Sequence, residues 1–126
     1  MPVAKPIYKF LLFLKRKPGM TPEEFQHYYE NVHSKLGRQI APDVGAIKYV
    51  RRYIHPLDGS LDRRAEDMEY DEITEVWFDD YDKFKAVAER VSRGELAKEV
   101  EEDEAKFMER AKTRFATVIE FEQNFH

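Results

Sequence analysis

A chain with no cysteine and only four histidines has few ways to do chemistry. The missing Cys removes thiolate nucleophiles, disulfides, iron–sulfur clusters and thiolate zinc sites together. His, Tyr, Lys, Arg and carboxylates remain. His27 falls on the water side of the first helical stripe, His55 precedes a proline at a strand end, and His126 is the terminal residue. His33 differs: at about 100° per residue it lies about 60° from the stripe centre, one turn after Tyr29. There an imidazole can lean into a crevice between helix and sheet and shuttle a proton near neutral pH, although a purely structural histidine fits the same border. Four scattered histidines make no metal site, so neither metal nor cofactor is expected.

Asp71 and Glu75 alternate with Ile73 and Trp77 along one strand face. A carboxylate beside an indole and an aliphatic chain is poorly hydrated, which raises its pKa and suits it to acid–base work. The competing reading is an exposed face, or Glu75 neutralised by Arg51. On another strand Tyr49 and Tyr53 flank Arg51, a grouping able to orient an enolate or phenolate oxygen. The candidate catalytic set is therefore His33, Tyr29, Tyr49, Asp71 and Glu75, with Phe10, Phe25, Tyr53, Trp77 and Arg51 as the binding wall for a flat substrate.

The positioning elements are legible from periodicity. Ile7 to Lys15 is apolar on both alternation phases, Tyr8, Phe10, Leu12 and Leu14 against Ile7, Leu11 and Phe13, which reads as a strand covered on both faces. Thr21-Pro22-Glu23-Glu24 is a capping box with proline at the first helical position, and Phe25, Tyr28, Tyr29, Val32, Leu36 and Ile40 follow as one stripe. Strands are expected over Ile47–His55, Tyr70–Phe78 and Phe115–Phe121, with a surface loop and possible lid over Pro56–Asp67. Asp79 and Asp80 cap a second helix carrying Tyr81, Phe84, Val87, Ala88 and Val91. Past Gly94, a third helix aligns Leu96, Val100, Phe107, Met108 and Ala111.

The order β-α-β-β-α(α)-β predicts an α+β, ferredoxin-like βαββαβ sandwich: a four-stranded antiparallel sheet with its helices on one face. The second apolar row of the first strand then needs a cover, and a second copy of the chain is the simplest one, giving a homodimer. With 126 residues, the chain has room for one domain, 1–126. Its 21 basic and 25 acidic residues, net charge −4, argue against a nucleic-acid surface. An acidic third strand, Tyr70 to Phe78, likewise opposes RNA recognition. The longest apolar run, Phe10 to Leu14, is too short for a bilayer, so no membrane partner and a cytoplasmic location are expected. Phosphate loops, dinucleotide fingerprints, G-x-S-x-G and H-E-x-x-H are absent.

Two segments carry a resemblance. The run from Lys15-Arg16-Lys17-Pro18-Gly19 through Thr21, Glu23-Glu24-Phe25 and Tyr28-Tyr29 to His33 resembles the entry segment of the EthD family. Tyr70-Asp71-Glu72-Ile73-Thr74-Glu75-Val76-Trp77-Phe78-Asp79 is similar to its later Y-D-G-I-x-E-x-W-F-D segment, with Glu72 where the family pattern has glycine. The resemblance implies a dimeric α+β barrel, and points to His33, Asp71 and Glu75. It also implies cofactor-free chemistry on a small aromatic or polyketide-derived intermediate: a lyase, meaning a dehydratase, a decarboxylase or a cyclase. The alternatives are an anthrone-type monooxygenase and a non-catalytic dimer that binds a small molecule.

Overall fold

The structure is a computed structural model and describes residues 5–57, 68–95 and 98–125, so most of the expected 56–67 loop lies outside the described residues. Four strands, β1 (Ile7–Leu14), β2 (Lys48–Tyr53), β3 (Glu72–Phe78) and β4 (Arg114–Glu120), pair antiparallel in the order β2-β3-β1-β4. This is the expected α+β, ferredoxin-like sheet. Register then decides which side chains share a face. Phe10 lies opposite Val76 and Thr117, Leu12 opposite Thr74 and Phe115, and Tyr49 opposite Val76. The even residues of β1 and β3 therefore form one surface with the odd residues of β2, and the helices pack on it.

Helix α1 (Pro22–Tyr28) starts at the capping box: Thr21 Oγ1 accepts the Glu24 amide at 3.1 Å and the Glu24 carboxylate accepts the Thr21 amide at 3.0 Å. The helix does not run on regularly. Tyr29–His33 form a π-helical turn, in which the Ser34 amide reaches back to the Tyr29 carbonyl, before α2 (Ser34–Asp43) resumes. One extra residue per turn rotates the stripe. Val32, expected on the apolar face, is 44% exposed, whereas His33, expected at the border, is 8% exposed.

Asp80 caps α3 (Tyr81–Ser92) by accepting the Lys83 amide at 3.0 Å, and Phe84 from this helix stacks on Tyr8 at 5.4 Å. The expected third helix is shorter than its stripe suggested: α4 covers Lys98–Glu104. Beyond it the backbone peels away to bond with the turn after β1, Lys17 N–H to the Phe107 carbonyl and Glu109 N–H to the Lys15 carbonyl, both at 2.8 Å. That detour buries Phe107 and Met108 beside Leu14, Phe25 and Tyr29 in the core.

The odd row of β1 is unlike the even one. Ile7, Leu11 and Phe13 stay only partly buried, and among them Lys9 is 6% exposed, ion-paired to Glu75 at 3.3 Å and to Glu120 at 2.9 Å, with its ammonium 3.8 Å from the Trp77 ring.

Phe107 is fully buried against Phe25, Tyr28, Tyr29 and His33. Its replacement by Ala should cost about 3–5 kcal/mol in stability, measured by urea unfolding. A cost under about 1 kcal/mol would mean that the 105–109 segment is not a structural wedge.

Candidate active site

A cavity of about 200 Å³ lies between the even face of the sheet and helices α2, α3 and α4. Its floor is Phe10, Leu12, Thr74, Val76 and Tyr49 from the strands. Its roof is Ile40, Ala41, Val44, Val87 and Val91, and Tyr29 and His33 enter from the π-helical turn. The lining is mostly apolar, with His33, Tyr29, Tyr49, Thr74, Arg90, Glu95 and Glu104 as its polar members. Gly37 makes room for one of them: a Cβ there would sit 2.7 Å from the Tyr49 ring.

His33 is held from behind. Its Nδ1 donates to Asp103 Oδ2 at 2.9 Å, and the same carboxylate accepts the Tyr28 hydroxyl at 2.5 Å. Nδ1 is the ring nitrogen hydrogen-bonded to a described residue, which leaves Nε2 free, and the His33 ring lines the cavity. Burial lowers the imidazole pKa against the opposing pull of Asp103, so the ring is neutral at pH 7 with its lone pair on Nε2. Burial acts to raise the Asp103 pKa, but the hydrogen bonds from Tyr28 and His33 outweigh it and hold this carboxyl below the usual range. The Tyr28 hydroxyl is pushed up to about 12 by burial and by Asp103.

A second polar line runs along the floor. Tyr49 Oη lies 3.0 Å from Tyr29 Oη, which lies 2.5 Å from Thr74 Oγ1, which in turn lies 2.6 Å from Glu72 Oε2. Glu72 is fully buried, and its Oε1 has no partner among the described residues. Burial raises its pKa to about 8, despite the Thr74 hydrogen bond. Burial likewise moves Tyr49 to about 12 and Tyr29 well above 10. At the far end Glu104 lines the cavity at 4% exposure, 3.6 Å from Arg110 Nε, and burial raises its carboxyl to about 7. A second cavity of about 360 Å³ adjoins there, sharing Val91, Glu104 and Phe115.

Four of the ten residues singled out from sequence line the cavity: His33, Tyr29, Tyr49 and Phe10. Phe25 and Tyr53 stand behind it in or against the core, and Arg51 is clamped to Glu30 by two 2.9 Å hydrogen bonds, with Tyr53 Oη on the same carboxylate at 2.6 Å. Asp71, Glu75 and Trp77 are elsewhere. Asp71 ties down the turn after β1, taking the Arg16 backbone amide at 2.8 Å and its guanidinium at 2.9 Å. Glu75 and Trp77 occupy the opposite sheet face, bonded to each other at 2.9 Å, with Glu75 paired to Lys9 and Arg52. The physical reason is parity for two of them, since register assigns Glu75 and Trp77 to the face without helices, whereas Asp71 falls just before β3 begins. Asp103, Glu104, Glu72 and Thr74 went unremarked as site residues. Asp103 and Glu104 sit in an acidic run that reads as a solvated helix, and no periodicity ties them to His33. Glu72 had a signal, its departure from glycine.

No three metal-ligating side chains converge among the described residues, and no described helix is long and apolar enough to cross a membrane. The family model described as EthD domain matches residues 17–111, most of the chain and all of the elements that carry His33, Glu72 and Asp103. The chain belongs to the EthD family. No curated protein matches. Among solved structures, an EthD-like protein of Ralstonia eutropha JMP134 is similar at 14% identity and a TM-score of 0.53, over 94% of this chain and 92% of its own. A protein described as dimeric ferredoxin-like, from an uncultured marine organism, is similar at 14% identity and a TM-score of 0.52, over 97% and 93%. At such identities the likeness is one of fold.

Glu72 also leaves a signature in stability. The unfolded chain gives up this proton near pH 4.5 and the folded chain at about 8, so stability is fullest below 4.5 and falls as pH rises, levelling above about 8. The slope is about 1.4 kcal/mol per pH unit for one such group. Glu104, raised to about 7, adds to the same loss. Glu72→Gln should therefore be more stable than the parent in thermal unfolding at pH 8.5, with the difference vanishing toward pH 4.5. An unchanged alkaline loss would contradict the buried neutral acid.

Proposed function

We propose that this EthD protein is a cofactor-independent lyase acting by acid–base chemistry on a flat, largely apolar carbonyl compound of the aromatic or polyketide-derived class. One observation carries the reading: an imidazole oriented through Nδ1 by a carboxylate, neutral at pH 7, with Nε2 left to an apolar cavity beside two tyrosine hydroxyls. In this account Nε2 of His33 takes the proton from the carbon next to the carbonyl, and Asp103 stabilises the imidazolium that results. The negative charge moves onto the carbonyl oxygen, where the Tyr49 hydroxyl, backed by Tyr29, donates a hydrogen bond. Glu104, protonated for part of the time near neutrality, gives its proton to the departing hydroxyl, which leaves as water. Phe10 and the valines of the roof keep other water out.

The same reading treats the molecule as a homodimer joined through the odd face of the sheet. Ile7, Leu11 and Phe13 there are large, apolar and incompletely covered, and surround the buried Lys9–Glu75 pair. The marine protein of the same fold is described as dimeric. Complete burial of such a side chain is worth about 1.5–3 kcal/mol, and a partner would supply the part these residues still lack.

The chemistry is tested with 1-tetralone and anthrone in deuterated buffer, following loss of the hydrogens next to the carbonyl by NMR. The protein should speed exchange over buffer alone, and His33→Ala should lose about a hundredfold or more of that effect. Ketones that fail to bind, that bind without exchanging, or that exchange as fast with the variant would overturn the reading. Assembly is tested by sedimentation at micromolar protein: a dimer is expected, and Leu11→Asp combined with Phe13→Lys should yield aggregated or unfolded protein. A stable 15.0 kDa monomer of the unaltered chain would contradict the interface.

A further inference from the structure

The hydroxyls on the cavity floor are ordered by what lies at their buried end. Each of Tyr49, Tyr29 and Thr74 has one hydrogen to donate, so three hydroxyls in a row must all point the same way along the line. With Glu72 ionised, Thr74 must donate to Oε2 across their 2.6 Å contact, which obliges Tyr29 to donate to Thr74 and Tyr49 to donate to Tyr29. In that order the cavity end, Tyr49 Oη, offers only lone pairs. It can accept from a ligand hydroxyl but cannot hold a carbonyl or an oxyanion.

We propose that Glu72 is a positioning residue that sets the direction of the Glu72–Thr74–Tyr29–Tyr49 line, so that the cavity presents a hydrogen-bond donor to a ring ketone or its enolate when Glu72 carries a proton and an acceptor when it does not. With its proton, Glu72 donates to Thr74 Oγ1 and all three hydroxyls reverse, so that Tyr49 donates into the cavity. The two orders differ by the one proton that Glu72 takes up or releases. A second observation supports this: Oε1 is completely buried and has no partner among the described residues, an arrangement far less costly for a neutral acid than for an anion. The groups acting on Glu72 agree in sense. Burial dominates and Glu30 adds repulsion, while Thr74, Arg51 and the Arg52 backbone oppose, leaving the carboxyl neutral through the physiological range. Tyr29, Tyr49 and Tyr53 stay protonated beside it.

The inference rests on the reading of the cavity as a ketone site, but its test reads binding and the carboxyl itself rather than turnover, so the two can fail separately. With 13C-labelled glutamate, the resonance missing from Glu72→Gln should report a protonated carboxyl at pH 7 that ionises on the alkaline side. Binding of 1-tetralone, followed by calorimetry, should weaken about tenfold as that resonance shifts. Glu104 and His33 also face the cavity, and Glu104 titrates near the same range. The Gln variant separates them: its amide donates at every pH, so this alkaline limb should disappear while the limbs due to the other groups stay. Thr74→Val cuts the line and should bind about tenfold more weakly at neutral pH with no alkaline limb. A Glu72 resonance ionised at pH 7, an alkaline limb that persists in the Gln variant, or full affinity in the Val variant would each overturn the proposal.

Discussion

The hydrogen bond from His33 Nδ1 to Asp103, 2.9 Å long and shielded from water by Phe107, is the constraint around which the cavity is arranged. It links α4 to the π-helical turn across seventy positions of sequence, and the Tyr28 hydroxyl on the same carboxylate closes the joint. Without it, the Tyr28 hydroxyl would be left to tie α4 to the first helix, and the imidazole would have no fixed tautomer. With it, Nδ1 is committed and Nε2 is the nitrogen left for the cavity. The π-turn is part of the same arrangement, since a regular helix would leave His33 half-hydrated at the stripe border and take the base out of a dry site.

Polar atoms in an apolar chamber interact strongly because little water competes for them. That explains how so few groups could suffice: one oriented imidazole, a line of hydroxyls ending in a buried acid, and Glu104 at the far wall. Three buried ionisable groups are also a burden on folding. His33, with its lowered pKa, costs stability as pH falls, whereas Glu72 and Glu104, with raised ones, cost it as pH rises. The two losses overlap, since the acids begin to cost stability above about 4.5 and the imidazole below about 6.5.

The architecture was legible because it is written in local patterns. The Thr21–Glu24 box started the helix where it was expected, the Asp80 cap did the same for α3, and the apolar run of Ile7 to Leu14 marked β1 as a strand. The site was half legible. Tyr29 and His33 share a helix face and Tyr49 faces them, relations within the reach of periodicity. The carboxylates were not, for two different reasons. Alternation along β3 sorts Glu72 and Thr74 from Glu75 and Trp77 but does not say which group meets the helices; the pairing of Leu12 with Thr74 does. Asp103, like its neighbour Glu104, belongs to an acidic stretch whose burial depends on the chain leaving the helix before Phe107, which helical periodicity reads as more helix.

The central claim is that Asp103 fixes His33 as a neutral imidazole with Nδ1 protonated and Nε2 bare. Nitrogen-15 NMR of the imidazoles as a function of pH tests it most directly. The account predicts that the His33 resonances report the Nδ1–H tautomer at pH 7, stay neutral to a lower pH than an ordinary histidine, and lose that tautomer preference in Asp103→Asn. An Nε2–H tautomer in the unaltered protein, or protonation at the ordinary histidine pH, would contradict it.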